Sequence, residues 1–154
     1  MGPLSNPARP SHQLTGTFDL RTQRLYAWSL EQIGVEAAVV HSLDGYDEIS
    51  LTSDVRVFST RNHFHLLSCG DFGAQGVQPS DIRGADSLEG NGALLQDILG
   101  GRGTAAQRRV VAANAALALV VWNPDHTLRA AYQQALDMLD SGRAALHLQT
   151  LLTP

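Results

Sequence analysis

Residues 20–42 read LRTQRLYAWSLEQIGVEAAVVHS, and this stretch decides the fold. Leu25, Trp28 and Leu30, with Ile33 behind them, fall near helical spacing. Asp19 is placed to cap the helix start and Gly34 suits the left-handed position just past its end. Directly after comes Glu36-Ala37-Ala38-Val39-Val40-His41-Ser42, a short apolar run that reads as a buried strand. A helix followed by an unbroken apolar strand is the αβ half of a parallel-sheet unit. The expected class is α/β, with a partial mixed or parallel sheet flanked by helices.

Upstream, the chain opens Met1-Gly2-Pro3-Leu4-Ser5-Asn6-Pro7-Ala8-Arg9-Pro10. Three prolines in ten residues forbid a regular helix and deny a central strand its ladder bonds. An expression scar, a loose tail and an interior loop of a longer protein all fit that composition. Downstream, Ile49–Thr52, Val55–Ser59 and His63–Ser68 read as short strands with turns at Ser53-Asp54 and Arg61-Asn62. Residues 71–86 are loop-rich. Helices are expected over Leu88–Leu99, from a Thr104 cap to about Trp122, from an Asn123 cap with Pro124 in the first turn to near Gly142, and over Ala144–Leu152.

Composition narrows the function. The 154 residues carry fifteen acids against eleven bases, a net charge of −4. Arg108-Arg109 is a pair rather than a patch, so a phosphate-backbone partner and an anionic membrane are poorly served. The run from Val110 to Trp122 falls short of the roughly 20 apolar residues of a membrane span. One cysteine, Cys69, makes no internal disulfide, which fits a reducing cytoplasm.

Several constellations carry chemistry. Asp44-Gly45-Tyr46-Asp47-Glu48 places three carboxylates in five residues at the end of the Val39–Ser42 strand. Ligands of α/β sheets gather at the carboxyl ends of strands, and carboxylates on an irregular loop can converge on one hard cation such as Mg²⁺. A solvated acidic turn has the same spacing. His63-Phe64-His65 would put two imidazoles on one strand face; an exposed polar face explains them as well. His41 sits between loop and site. Gly100-Gly101-Arg102-Gly103-Thr104 lacks a preceding strand and a GKS ending, and reads as a helix stop and cap. Asn114, inside an apolar helix, is either a satisfied core amide or a loop anchor.

Taken together, these segments resemble the anthranilate phosphoribosyltransferases. Gly2-Pro3-Leu4-Ser5-Asn6-Pro7-Ala8-Arg9-Pro10 with His12-Gln13-Leu14-Thr15-Gly16 is similar to the family's GPLxNPA…QLxG stretch. Val39-Val40-His41 with Asp44 to Ser50 is similar to its VVH…DGxDEIS stretch. Asp71-Phe72-Gly73, Arg83-Gly84-Ala85-Asp86 and Asn91 resemble its DFG…RGGD…N block, and Ala113-Asn114-Ala115-Ala116 its LNAA helix. Order and spacing agree from residue 2 to about 146.

The resemblance implies the fold shared by nucleoside phosphorylases and phosphoribosyltransferases, with residues 1–154 as the C-terminal portion of the α/β glycosyltransferase domain. In the family the small helical domain, the glycine-rich diphosphate loop, a basic segment and the arginine that holds the anthranilate carboxylate precede the GPL motif. The expectation is a fragment, inactive alone, without the family's helical-domain dimer, and completed by a separate N-terminal half if one exists. The implied activity moves a phosphoribosyl group from phosphoribosyl diphosphate to anthranilate in tryptophan biosynthesis, with Mg²⁺. Asp47 and Glu48 match the metal-binding pair, Gly2 and Pro3 match the pocket wall beside anthranilate, and Arg9 is read as structural. Ala85 in place of a glycine, and Gly90-Asn91-Gly92 in place of a more helical stretch, suggest relaxed constraint. A related nucleoside phosphorylase and a non-catalytic, partner-binding remnant are the alternatives.

Overall fold

The computed structural model describes residues 2–152, with the side chains of Gly2 and Pro3 outside the description. After a 3-10 turn at Gly2–Ser5 the elements are β1 (His12–Gly16), α1 (Leu20–Ile33), β2 (Glu36–Ser42), β3 (Val55–Ser59), β4 (His63–Leu67), a single turn α2 (Cys69–Phe72), α3 (Leu88–Leu99), α4 (Ala105–Trp122), α5 (Leu128–Asp140) and α6 (Arg143–Leu152). The four strands form one mixed sheet in the order β1-β2-β3-β4. β1 and β2 are parallel, with Leu14 opposite Ala38. β2–β3 and β3–β4 are antiparallel.

The two sheet faces carry different layers. Ala37, Val39 and Phe58 pack against Ala27 and Leu30 of α1. Ala38, Val40, Val55 and Val57 face the larger core, built with Ala112, Ala113, Ala116 and Leu117 of α4 and Ala131, Tyr132 and Leu139 of α5. Consecutive residues of β2 thus serve opposite layers, and a strand covered on both faces must be apolar throughout.

α1 begins and ends where its sequence says. Asp19 accepts from the Thr22 N–H at 2.6 Å, and Gly34 takes φ 74 with its N–H on the Leu30 carbonyl. Its buried face differs from the expected one. Gln23, Ala27 and Leu30 point inward, while Leu25 and Trp28 are 58% and 64% exposed and Ile33 is exposed too. Gln23 can be buried because its amide donates to the Val39 and Arg56 carbonyls at 2.9 and 2.8 Å.

Three further expectations are corrected. β1 was not anticipated as a strand. Residues 49–52, read as a strand, run irregularly, with Leu51 at φ 57. α5 is capped by Thr127 rather than Asn123. Asn123 instead closes a turn around Pro124, its side-chain oxygen accepting from the Asp125 N–H.

Candidate metal centre

β1 and β2 end side by side, and the loop after β2 rises at that end. Thr17 stitches the two ends together: its N–H and hydroxyl both donate to the Val40 carbonyl. His41 is buried, its Nδ1 2.8 Å from the Thr17 carbonyl. That contact ties the end of β2 to the residue that follows β1.

The acidic loop is built from both of its own ends. The Ser42 N–H donates to the Tyr46 carbonyl and the Gly45 N–H to the Ser42 carbonyl, both at 2.9 Å. Gly45 takes φ 103, a conformation open to glycine alone at little cost. The Ser42 hydroxyl then donates to the Glu48 carbonyl at 2.6 Å. Asn114 of α4 grips the next residue twice, its Oδ1 accepting from the Ile49 N–H at 3.0 Å and its amide donating to the Ile49 carbonyl at 2.9 Å. Of the two readings left open for Asn114, the loop anchor is the one realised. Ile49 and Leu51 plug into the core and fix the loop's exit.

Gly16 completes the seat. A Cβ built there would lie 1.6 Å from the Asp47 carbonyl oxygen, so β1 can end against the loop only if residue 16 has no side chain. Gly16 is the glycine of the QLxG stretch, and this close approach gives that glycine its reason; Ser42 is a contributor that no quoted motif includes.

The three carboxylates divide by role. Asp44 is consumed by the loop: the hydroxyls of Thr52, Ser53 and Ser50 all donate to it. Desolvation works to raise its carboxyl, and these hydrogen bonds outweigh it and hold the group below its ordinary value. Asp47 and Glu48 are exposed, and among the described residues no hydrogen bond to either carboxylate is found. Glu48 is pushed above its ordinary value by desolvation and by the charge of Asp47. A crowded, unpaired carboxylate pair is relieved by a cation. Among the described residues no group of three or more His, Cys, Asp or Glu could enclose a metal ion. Two open carboxylates suit Mg²⁺, which keeps waters and borrows phosphate oxygens.

The other sequence candidates do not join this centre. His63 lies 3.3 Å from Glu31 on the α1 side, while His65 lines a cleft with Leu117 and Val121 of α4, so the two imidazoles do not share a face. Gly100–Thr104 stops α3 and caps α4, Thr104 and Gln107 bonding reciprocally. Asp71 caps its own short turn through Ser68. Asn91 clamps the Ala85 backbone, accepting from its N–H and donating to its carbonyl. A Cβ on Gly90 would lie 2.8 Å from that of Ala85, so the two departures noted in this block fit each other sterically and are not independent signs of relaxed constraint. Arg9 is exposed at φ 44, lining a 710 Å³ groove between residues 4–13 and the end of α1. Gly2 and Pro3 fall where side chains lie outside the described residues.

No helix among the described residues is long and apolar enough to cross a membrane. Comparison with known proteins agrees with the motif pattern. The chain is 38% identical over 144 residues to an anthranilate phosphoribosyltransferase of Christiangramia forsetii, covering 94% of this chain and 43% of that protein. It is 36% identical over 152 residues to the one from Bacteroides thetaiotaomicron, covering 99% of this chain and 46% of that protein. The chain therefore spans less than half the length of these curated relatives. Among solved structures, the Thermus thermophilus enzyme of the same name superposes with a TM-score of 0.80 at 26% identity, over 88% of this chain and 40% of that one. The Saccharomyces cerevisiae enzyme in complex with PRPP and Mg gives 0.75 at 18% identity, over the same shares. The family model for the glycosyl transferase family, a/b domain, matches residues 1–145, and the chain belongs to that family.

Proposed function

We propose that this chain is the C-terminal portion of an α/β phosphoribosyltransferase domain and supplies its Mg²⁺-holding loop, for transfer of a phosphoribosyl group from phosphoribosyl diphosphate to anthranilate in the cytoplasm. The observation that carries the reading is the Asp47–Glu48 pair, unpaired and mutually repelling on a loop fixed from below by Ser42, Gly16 and Asn114. The yeast relative's complex with PRPP and Mg supports the choice of ligand class.

Displacement of diphosphate from ribose C1 leaves growing negative charge on the leaving group. Bound Mg²⁺ supplies positive charge at that point. Asp47 and Glu48 would hold and orient the ion. Asp44 holds the loop instead, its oxygens taken by the hydroxyls of Thr52, Ser53 and Ser50. Gly2 and Pro3 form the wall beside the anthranilate ring, where a small, stiff backbone lets a flat ring approach. The donors that neutralise the diphosphate belong to family segments that this chain does not span. Each such donor is worth on the order of 2.7–4 kcal/mol when removed singly, so the chain alone should show no turnover.

The test mixes this chain with the separately produced preceding half of the Christiangramia forsetii relative and follows loss of anthranilate fluorescence. Turnover on mixing, with a raised Mg²⁺ requirement in Asp47→Ala/Glu48→Ala, is the expected result. Turnover by the chain alone, or an unchanged Mg²⁺ requirement in the double variant, would overturn it.

A further inference from the structure

The sheet reaches further than the helices of the larger core. Against the sheet, α4 packs chiefly on β1 and β2, so the hairpin β3–β4 extends past it. Register decides which side chains share that corner: Val57 lies opposite His65, Val55 opposite Leu67 and Ala38 opposite Ser59. Between the corner and the end of α4 opens a cleft of 290 Å³, near the lower end of the range of ligand pockets, about 300–1,000 Å³. It includes Glu36, the first residue of β2, and so lies at the end of that strand opposite the acidic loop.

The floor is apolar, made by Ala38, Val57, Leu67, Leu117, Val121 and Leu128. Three ionisable side chains line the same cleft: Glu36, Arg61 and His65. Arg61 Nε and Glu36 Oε2 form an ion pair at 3.0 Å, the two side chains 36% and 45% exposed. The Thr60 hydroxyl donates to the same Oε2 at 3.3 Å. Among the described residues no hydrogen bond to Glu36 Oε1, or from the Nη groups of Arg61, is found. His65 Nδ1 lies 3.1 Å from the His63 carbonyl. A carbonyl only accepts, so Nδ1 carries the proton and Nε2 of the neutral ring is left as an acceptor. The Ser59 hydroxyl is already engaged, accepting from the Asn62 N–H.

The unused groups are thus a guanidinium fork and two acceptors, set over an apolar floor. A carboxylate suits the fork, and an ammonium suits Glu36 Oε1. A purely apolar ligand would leave both charges unused. A simple anion would face Glu36, and a simple cation would face Arg61. A zwitterion satisfies both. An exposed ion pair contributes little, so Arg61 and Glu36 lose little when each turns its free atoms to a ligand. We propose that this cleft is a binding site for a free α-amino acid with an apolar side chain. Its carboxylate lies on Arg61, its ammonium on Glu36, and its side chain on the floor between the sheet and α4. The site goes beyond the phosphoribosyl-transfer reading and does not rest on it. Every group named belongs to this chain, so the chain alone serves for the test.

The experiment titrates the ¹⁵N-labelled full chain with L-phenylalanine and follows the amide shifts. The shifts should saturate and centre on residues 36–38, 57–67 and 117–128, which contain the lining of the cleft. Hydrocinnamate lacks the ammonium, phenethylamine lacks the carboxylate, and L-serine lacks the apolar body. Each should bind about fivefold more weakly or worse. Two variants at the rim assign the charges. Arg61→Gln should weaken L-phenylalanine about fivefold while phenethylamine binds no more weakly. Glu36→Gln should weaken L-phenylalanine by a similar factor while hydrocinnamate binds no more weakly. The analogue series on the wild-type chain stands whether or not either variant folds. No saturable shift, shifts centred on the acidic loop or elsewhere, or hydrocinnamate binding as tightly as L-phenylalanine would overturn the proposal. L-phenylalanine binding that neither variant weakens would overturn it equally.

Discussion

The acidic loop and the two other motif-bearing loops are held in different ways. Residues 43–54 are fastened across the fold, with Asn114 bonding Ile49 over a separation of 65 residues. The Arg83–Asn91 loop is fastened within itself, through Asn91 and Ala85 six residues apart. The opening segment is bonded locally, Asn6 accepting from the N–H groups of Ala8 and Arg9, and meets the fold through Leu4, packed against the α1 layer. Long-range bonds let the core dictate where Asp47 and Glu48 stand. Local bonds give a loop its shape but leave its placement to whatever packs against it. The carboxylate half of the proposed site is thus preorganised by bonds within this chain.

The sharpest way to break that contrast is Gly16→Ala. A Cβ 1.6 Å from the Asp47 carbonyl forces the loop or the strand end to move, and overpacking at backbone should cost about 3 kcal/mol, read as a fall in the urea midpoint. Asn114→Ala comes next. It strands the buried N–H and C=O of Ile49 and should cost about 2–3 kcal/mol, with amide shifts concentrated at residues 47–51.

Asp44→Ala should cost about 1 kcal/mol at neutral pH, because the carboxylate is exposed and its bonds are to hydroxyls. Its folded-state pKa lies below the ordinary aspartate value, so its contribution is present above that value. It is lost as pH falls through the lowered value. The stability gap between wild type and variant should therefore close in acid; a gap that widens there would contradict the assigned role. At the weak end, Asn6→Ala should fall within about 0.5 kcal/mol and leave the acidic loop's spectrum unmoved. A loss as large as that of Asn114→Ala would erase the distinction between the loops.

The strongest elements were legible because each obeys a local rule. Asp19 and Gly34 bound α1, Thr104 opens α4, and the unbroken apolar β2 announces burial on both faces. The misses share a cause in tertiary contact. Leu25 and Trp28 looked like the core face of α1, but Gln23 finds two sheet carbonyls and takes the inward position. Residues 49–51 looked like a strand because Ile49 and Leu51 are buried; their backbone partner is a side chain 65 residues away, which no periodicity reveals. His12–Gly16 holds one strongly apolar residue, and its strand character comes from pairing with β2. Of the proposed site, the motif offers Asp47 and Glu48. It does not show that Asp44 is spent on hydroxyls.

The most direct test of the central claim is a Mn²⁺ titration of the ¹⁵N-labelled chain, with and without inorganic diphosphate, Mn²⁺ standing in for Mg²⁺. The account predicts that the amides of Asp47, Glu48 and their neighbours broaden first, that diphosphate lowers the Mn²⁺ needed, and that Asp47→Ala/Glu48→Ala abolishes the effect while Asp71→Ala leaves it intact. Broadening centred elsewhere, or broadening at the loop that survives loss of both carboxylates, would contradict it.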